Sequence, residues 1–247
     1  MKELVQAIYK RKSVRKYDVN AHLSQEELQL VKDKLYAIAP LVEDIKLHYE
    51  IVPCNETNCK FNAEYCLVCY SEQKDLWLTN VGYVLEQWEL YLATLGIGVC
   101  WYGMGKVEHK VKDGLTYAIM LCFGKCDEEE FRKDTGEFNR KQIADFWQGD
   151  TANTKIAQIC RLAPSAVNSQ PWKVVEKGDT LEVYRQKSTT TVLAPMLFNH
   201  FNKVDAGIFL AYLEIALESE GYAYTRTLHP ETKSKTSVLV ASYLLQK

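Results

Sequence analysis

Leu162-Ala163-Pro164-Ser165-Ala166-Val167-Asn168-Ser169-Gln170-Pro171-Trp172 is the stretch on which the reading of this chain turns. Pro164 and Pro171 exclude a helix through it and fix an extended loop, because each ring locks φ and pushes the preceding residue out of the α region. Between them Ser165, Asn168, Ser169 and Gln170 crowd hydroxyl and amide groups together. Such a loop offers fixed donors and acceptors suited to the polar edge of a planar heterocycle. A polar surface turn is the plainer reading of the same residues. Trp172 reads as a core anchor for the strand that follows.

Working outward, a helix is predicted over about 154–162, strands over 172–175 and 181–184, a long helix over 203–220 stopped by Gly221, and a closing strand over 237–245. Toward the N-terminus, helices are predicted over 2–11 and 25–38. Ser24 and Glu27 form a capping box for the second, and Pro40 follows its end. Strands follow over 46–52 and 64–71. A long helix over 75–95 carries Val81, Val84, Leu85, Trp88 and Leu92 at three- and four-residue spacing, and Gly96 and Gly98 stop it. The apolar run 117–123, closed by Gly124, reads as a buried strand. Residues 126–150 are the most charged part of the chain and read as a connection rather than core.

The two sides of that connection overlay. With a shift of 124, Leu35, Ile38, Ala39 and Pro40 match Ile159, Leu162, Ala163 and Pro164. With a shift of 125, Gly82, Leu85, Glu89, Leu92 and Gly96 match Gly207, Leu210, Glu214, Leu217 and Gly221. A duplicated unit of about 120 residues is expected, with a first half over 1–125, the connection over 126–150 and a second half over 151–247.

The chain has 247 residues, 47% of them hydrophobic and 25% charged, which excludes disordered and fibrous classes. Lys and Arg number 30 against 32 Asp and Glu, so there is no global attraction to nucleic acid or to an anionic membrane. No apolar run approaches a transmembrane span, and the N-terminus lacks the apolar core of a signal peptide. A cytoplasmic protein that binds neither nucleic acid nor membrane is expected. Cys54, Cys59, Cys66 and Cys69 raise the question of a metal cluster. Cys66 and Cys69 lie an odd number of residues apart on a predicted strand and so face opposite sides, which ranks a metal last and leaves buried thiols as the reading.

A second polar segment is Lys10-Arg11-Lys12-Ser13-Val14-Arg15-Lys16, which places cations and a hydroxyl at a helix end. Arg forks and Ser hydroxyls suit a phosphate. A basic helix end that complements the dipole is the alternative.

Arg11-Lys-Ser-Val-Arg15, Ala163-Pro-Ser-Ala-x-Asn-x-Gln-Pro-Trp172, and Asn80-Val-Gly-Tyr83 followed by Leu95-Gly-Ile-Gly-x-Cys-Trp-x-Gly103 together resemble three hallmarks of the FMN-dependent nitroreductase family. Leu121-Cys-Phe-Gly124 resembles its last core strand, and Asn139-Arg140-Lys141 its basic segment. The resemblance implies an α+β nitroreductase-like fold. It also implies FMN as cofactor, NADH or NADPH as electron donor, and a small nitroaromatic or quinone-like electron acceptor, in a ping-pong cycle. The family is normally a homodimer whose flavin loops come from different subunits. Here the first half keeps the Arg motif but has Pro40-Leu-Val-Glu-Asp44 in place of Pro-Ser-Ala, while the second half keeps Pro164-Ser-Ala-Val-Asn168 and lacks the Arg motif. Two related halves forming an internal pseudo-dimer, a monomer with one retained site, are therefore expected. Glu43 and Asp44 would repel an anionic cofactor at the lost one.

No catalytic side chain is required, because hydride chemistry sits on the flavin. The resemblance makes Arg11 the electrostatic support for the reduced ring. Lys12, Ser13, Arg15, Arg140 and Lys141 become candidates for phosphate and ring-edge contacts. Pro164, Ser165, Ala166, Asn168 and Gln170 are candidates for the ribityl chain and ring edge, and Gly103, Met104 and Gly105 for close backbone approach. A flavin-binding storage or sensing protein without efficient turnover is the alternative function.

Overall fold

The computed structural model describes residues 2–187, 195–232 and 236–246. The first half runs α1 (Lys2–Lys10), α2 (Gln25–Ala37), β1 (Leu47–Pro53), β2 (Tyr65–Ser71), α3 (Trp77–Thr94), β3 (Ile97–Trp101), β4 (Val111–Lys112) and β5 (Leu115–Lys125). The rest runs α4 (Ile143–Phe146), β6 (Trp147–Gln148), α5 (Lys155–Arg161), β7 (Trp172–Lys177), β8 (Thr180–Gln186), α6 (Pro195–Ser219), β9 (Ala223–Leu228) and β10 (Ser237–Gln246). No helix among the described residues is long and apolar enough to cross a membrane.

Each half carries one sheet. The first has the order β1-β2-β5-β3, and the second has β7-β8-β10-β9 with β6 added beside β7. Every pairing within those four-strand paths is antiparallel. Each half also places its long helix between its second and third path strands in sequence, so element order and sheet order coincide. Short local signals set several boundaries. Ser24 Oγ accepts from the Glu27 amide at 3.1 Å, and Glu27 Oε2 accepts from the Ser24 amide at 2.9 Å, which closes the capping box that starts α2.

The centre of the molecule is the crossing of α3 and α6. Both helices are apolar around most of their circumference, the pattern of a helix buried on all sides. Their backbones meet at two glycines. A Cβ on Gly82 would lie 2.0 Å from the Val204 carbonyl oxygen, and a Cβ on Gly207 would lie 1.9 Å from the Thr79 carbonyl oxygen. Adding 125 to 79 and 82 gives 204 and 207, so the contact is reciprocal, as across a two-fold interface. Gly207→Ala is expected to lower stability by about 1–3 kcal/mol or more, because the clash is with backbone and no rotamer relieves it. Urea unfolding measures this, and an unchanged midpoint would contradict so close a crossing.

The structure departs from the sequence reading in several places: α6 starts at Pro195 rather than 203, and a 3-10 turn over Ala166–Asn168 interrupts the loop expected to be extended. Strand β3 lies where glycines suggested only a helix stop. Gly98 sits in this strand because the N-terminal arm crosses it: a Cβ there would come within 2.8 Å of Val14 Cγ1. Strand β9 has no counterpart in the sequence reading, being an edge strand whose burial merely alternates between exposed and half-buried. Residues 126–150 are not merely a connection. Phe131, Phe138, Phe146 and Trp147 are buried, and Trp147 pairs in parallel with Val174. Phe131 and Phe138 stand singly among charged and polar residues, and Ile143 to Trp147 is too short a run to show a period.

Candidate functional site

After α1 the chain runs extended, and Ser13 bridges to Val99 of β3, with the Val14 amide donating to the Val99 carbonyl at 3.0 Å. This fixes Arg11, Ser13 and Arg15 along one edge of the first sheet. Facing them is the loop between Pro164 and Pro171. Val167, Asn168 and Gln170 there have φ of 47°, 55° and 48°, a left-handed conformation costly for side chains with a Cβ. The surroundings hold it in place. Asp205 Oδ1 accepts from the Ala166 amide at 2.9 Å, and Ser165 Oγ accepts from the Gln170 amide at 2.8 Å. Arg140 donates to the Ala163 carbonyl at 2.9 Å and to Asn168 Oδ1 at 3.0 Å, and Lys141 Nζ donates to the Gln170 carbonyl at 2.9 Å.

The arm and the loop face each other across a cavity of about 340 Å³. Of the residues singled out from sequence, Arg11, Ser13, Arg15, Gly103, Met104, Pro164, Ser165 and Ala166 line it. The other six sit elsewhere. Arg140, Lys141, Asn168 and Gln170 brace the loop through the bonds just given. Lys12 Nζ lies 3.9 Å from Glu130 Oε2, and the Gly105 amide closes a turn onto the Tyr102 carbonyl at 2.9 Å. Sequence reasoning missed Phe61, Ile119, Phe201, Val204, Asp205 and Ile208, which supply most of the apolar wall and one carboxyl group. Asp205 carried a signal, since it lies two residues before the repeated Gly207. Phe61 carried none.

Arg11 is almost wholly buried. Its Nε donates to Glu89 Oε1 at 2.8 Å, and Trp101 Nε1 donates to Glu89 Oε2 at 2.5 Å. Its Nη2 donates to Ser13 Oγ at 3.2 Å. Burial by itself would weaken the guanidinium's hold on its proton, but Glu89 and Glu86 outweigh it and raise the pKa. Glu86, 3.8 Å away, is pushed well above the usual carboxylate range by burial first and by Glu89 second. Arg140 is lowered to about 10, chiefly by burial and then by Arg11, so its charge adds to the same region. Burial also pushes Asp205 up to about 8, against the lowering effect of the Ala166 amide and the Ser169 hydroxyl. At neutral pH the cavity wall therefore carries a carboxylic acid rather than an anion.

The position related to this cavity by the 125-residue shift is occupied differently. Glu214, the counterpart of Glu89, accepts from Arg226, Tyr243, Tyr83 and Tyr224 at 2.7, 2.7, 2.6 and 3.1 Å. Arg226 also reaches the Leu41 carbonyl at 3.3 Å and lies over the Tyr83 ring. Glu43 and Asp44 are exposed, and Asp44 pairs with Lys74 at 3.3 Å. Arg226 and tyrosines, not the acidic pair, cross that position.

The family model described as "Putative TM nitroreductase" matches residues 3–217. The chain belongs to this family. A "putative nitroreductase" from Thermotoga maritima is similar to this family member in structure. Its identity is 22% and its TM-score 0.63, covering 98% of this chain and 93% of that one. Two structures from Clostridium difficile R20291, each described as an FMN-dependent nitroreductase, align over 50% and 56% of this chain and 90% and 95% of theirs. Their identities are 13% and 19%, and their TM-scores 0.41 and 0.45. A search of curated proteins finds no match. The fold is nitroreductase-like, and the family places the chain among oxidoreductases.

The site suits a flavin mononucleotide. The walls are apolar and supplied by Ile119, Phe201, Val204 and Ile208, as a fused ring requires, and two guanidinium groups and a hydroxyl stand at one edge. Gly103 packs directly against the Phe201 ring, which a Cβ there would approach to 2.9 Å.

Proposed function

We propose that this chain is an FMN-dependent oxidoreductase that takes electrons from NADH or NADPH and passes them to a nitroaromatic or quinone-like acceptor in a ping-pong cycle. The observation that carries this reading is the meeting of the Arg11–Arg15 arm and the Pro164–Ala166 loop across one apolar cavity. FMN would supply the hydride-accepting centre, so the protein's work is binding, orientation and electrostatics.

Arg15 and Ser13 would hold the anionic and polar parts of the cofactor. Glu89 fixes the Arg11 guanidinium in direction and balances its charge, so the net positive charge at this wall would come from Arg15. Asp205 keeps its proton at neutral pH and so adds no anion beside the bound group. The apolar residues exclude water from the ring, and Pro164–Ala166, braced by Arg140 and Lys141, keep the opposite wall fixed. We also read the shared topology and the reciprocal glycine contact as a duplication, a monomeric pseudo-dimer with one working site. The crossing of Arg226 over the related position supports that count.

Arg15 tests the reading more cleanly than Arg11, because it is exposed and lines the cavity. Arg15→Ala should weaken FMN binding about 10- to 150-fold, as expected for one lost charge-assisted contact of about 1.5–3 kcal/mol. Lys12→Ala should leave it unchanged. Fluorescence titration of flavin-free protein reads both. Equal affinity of wild type and Arg15→Ala, or a saturated ratio near two FMN per chain, would contradict the site or the count. Anaerobic bleaching of bound FMN by NADH or NADPH supports turnover. A yellow protein that neither donor bleaches would point to flavin storage or sensing.

A further inference from the structure

Three cysteines outside the flavin cavity converge. Cys54 opens a short 3-10 turn after β1, Cys59 lies in the loop that follows, and Cys66 is the second residue of β2. Their Sγ atoms all lie within 4.8 Å of one another. Cys69 does not join them. It packs into the main core on the opposite face of β2, whereas Cys66 and Cys54 belong to a separate apolar cluster on the outer face of the sheet. The sequence argument against a four-cysteine site therefore leaves a three-cysteine site untouched.

We propose that Cys54, Cys59 and Cys66 form a three-thiolate site for a thiophilic divalent cation, zinc in the first instance. The geometry needs little change. Zn–S bonds of about 2.3 Å in a tetrahedral ion place sulfurs about 3.8 Å apart, so the thiols have to draw together by about an ångström or less. The loop is already organised around one hydroxyl. Thr57 Oγ1 donates to the Cys54 carbonyl at 2.8 Å, accepts from the Cys59 amide at 3.1 Å, and lies 3.5 Å from Cys66 Sγ. Such outer contacts orient ligands before the metal arrives.

Access is present as well. Cys54 and Cys59 line a solvent cleft of about 530 Å³ that also holds His22, Lys60 and Glu64. Water from that cleft would complete a fourth coordination position. Three thiols bind one zinc ion by forming three Zn–S bonds as three S–H protons leave to solvent, with no change of oxidation state. The product carries one net negative charge and faces the solvent cleft. The loop between these ligands also carries Phe61, a wall residue of the flavin cavity, so the bound ion would pin that wall.

The test uses the full chain, reduced and freed of metal by a chelator, and titrated with cobalt(II) as a spectroscopic probe. One equivalent should produce intense thiolate-to-cobalt charge transfer that zinc then abolishes by displacement. Cys59→Ser, a half-buried position, should weaken cobalt binding at least about 10-fold, the effect of losing one ligand or its support. Cys126→Ser, half-buried and outside the cluster, should behave as wild type. Protection of Cys59 from alkylation by zinc gives a second readout that needs no variant. Absence of the charge-transfer band, its persistence in Cys59→Ser, or a ready disulfide among the three with no metal uptake would overturn the proposal. None of these readouts depends on flavin, so failure of the FMN reading leaves this test intact.

Discussion

Arg11→Ala is expected to destabilise the flavin-free protein by about 3–5 kcal/mol, the cost of removing one partner from a buried ion pair. The loss falls on Glu89, which keeps the Trp101 indole as a donor but loses the guanidinium at 2.8 Å. A basic residue that merely decorates a helix end would cost less than about 1 kcal/mol. The two readings are therefore well separated in urea unfolding. Adding Glu89→Gln to Arg11→Ala should recover part of the loss, because the stranded charge is then gone. An Arg11→Ala midpoint equal to wild type would show that the pair contributes nothing to the fold.

Asp205→Asn is expected to change the pH dependence of stability rather than the fold. The native Asp205 carboxyl holds its proton up to about pH 8, while an unfolded Asp releases it near pH 4. The native state thus binds an extra proton between those limits. Its stabilising effect is complete below about pH 4, falls by up to about 1.4 kcal/mol per pH unit, and is gone above about pH 8. An Asn side chain accepts from the Ala166 amide just as well and has no proton to lose. The first half already contains that arrangement: Asn80, the residue 125 positions earlier, accepts from the Val42 amide at 3.1 Å. Asp205→Asn should therefore be more stable than wild type by a few kcal/mol at pH 8, and the two should converge toward pH 4. Unfolding measured at several pH values decides it, and parallel profiles would reject the proton assignment.

Much of this was legible in the sequence because it is local. A capping box, helical spacing and prolines act over a few residues, and α2, α3 and the Pro164–Pro171 loop followed from them. The partnership of Arg11 with Glu89 spans 78 residues and leaves no trace in spacing. The resemblance makes Arg140 and Lys141 ligand candidates, and spacing gives no sign that they also donate to the Ala163 and Gln170 carbonyls and so brace the loop. The left-handed residues Val167, Asn168 and Gln170 were unreadable for a different reason. Only Asn among them favours that region intrinsically, and the long-range bonds from Asp205 and Arg140 impose the rest.

The reciprocal crossing at Gly82 and Gly207 joins two surfaces of one covalent chain. Two separate subunits meeting there would part on dilution, and any site between them would fade at low protein concentration by mass action. Here the meeting is unimolecular, so the cavity persists at any dilution at which the chain stays folded. Within one chain the two sides of the crossing also need not match. Glu86 faces Arg11, while its counterpart 125 positions later is Ala211, an inequality that a symmetric pair of identical chains could never encode.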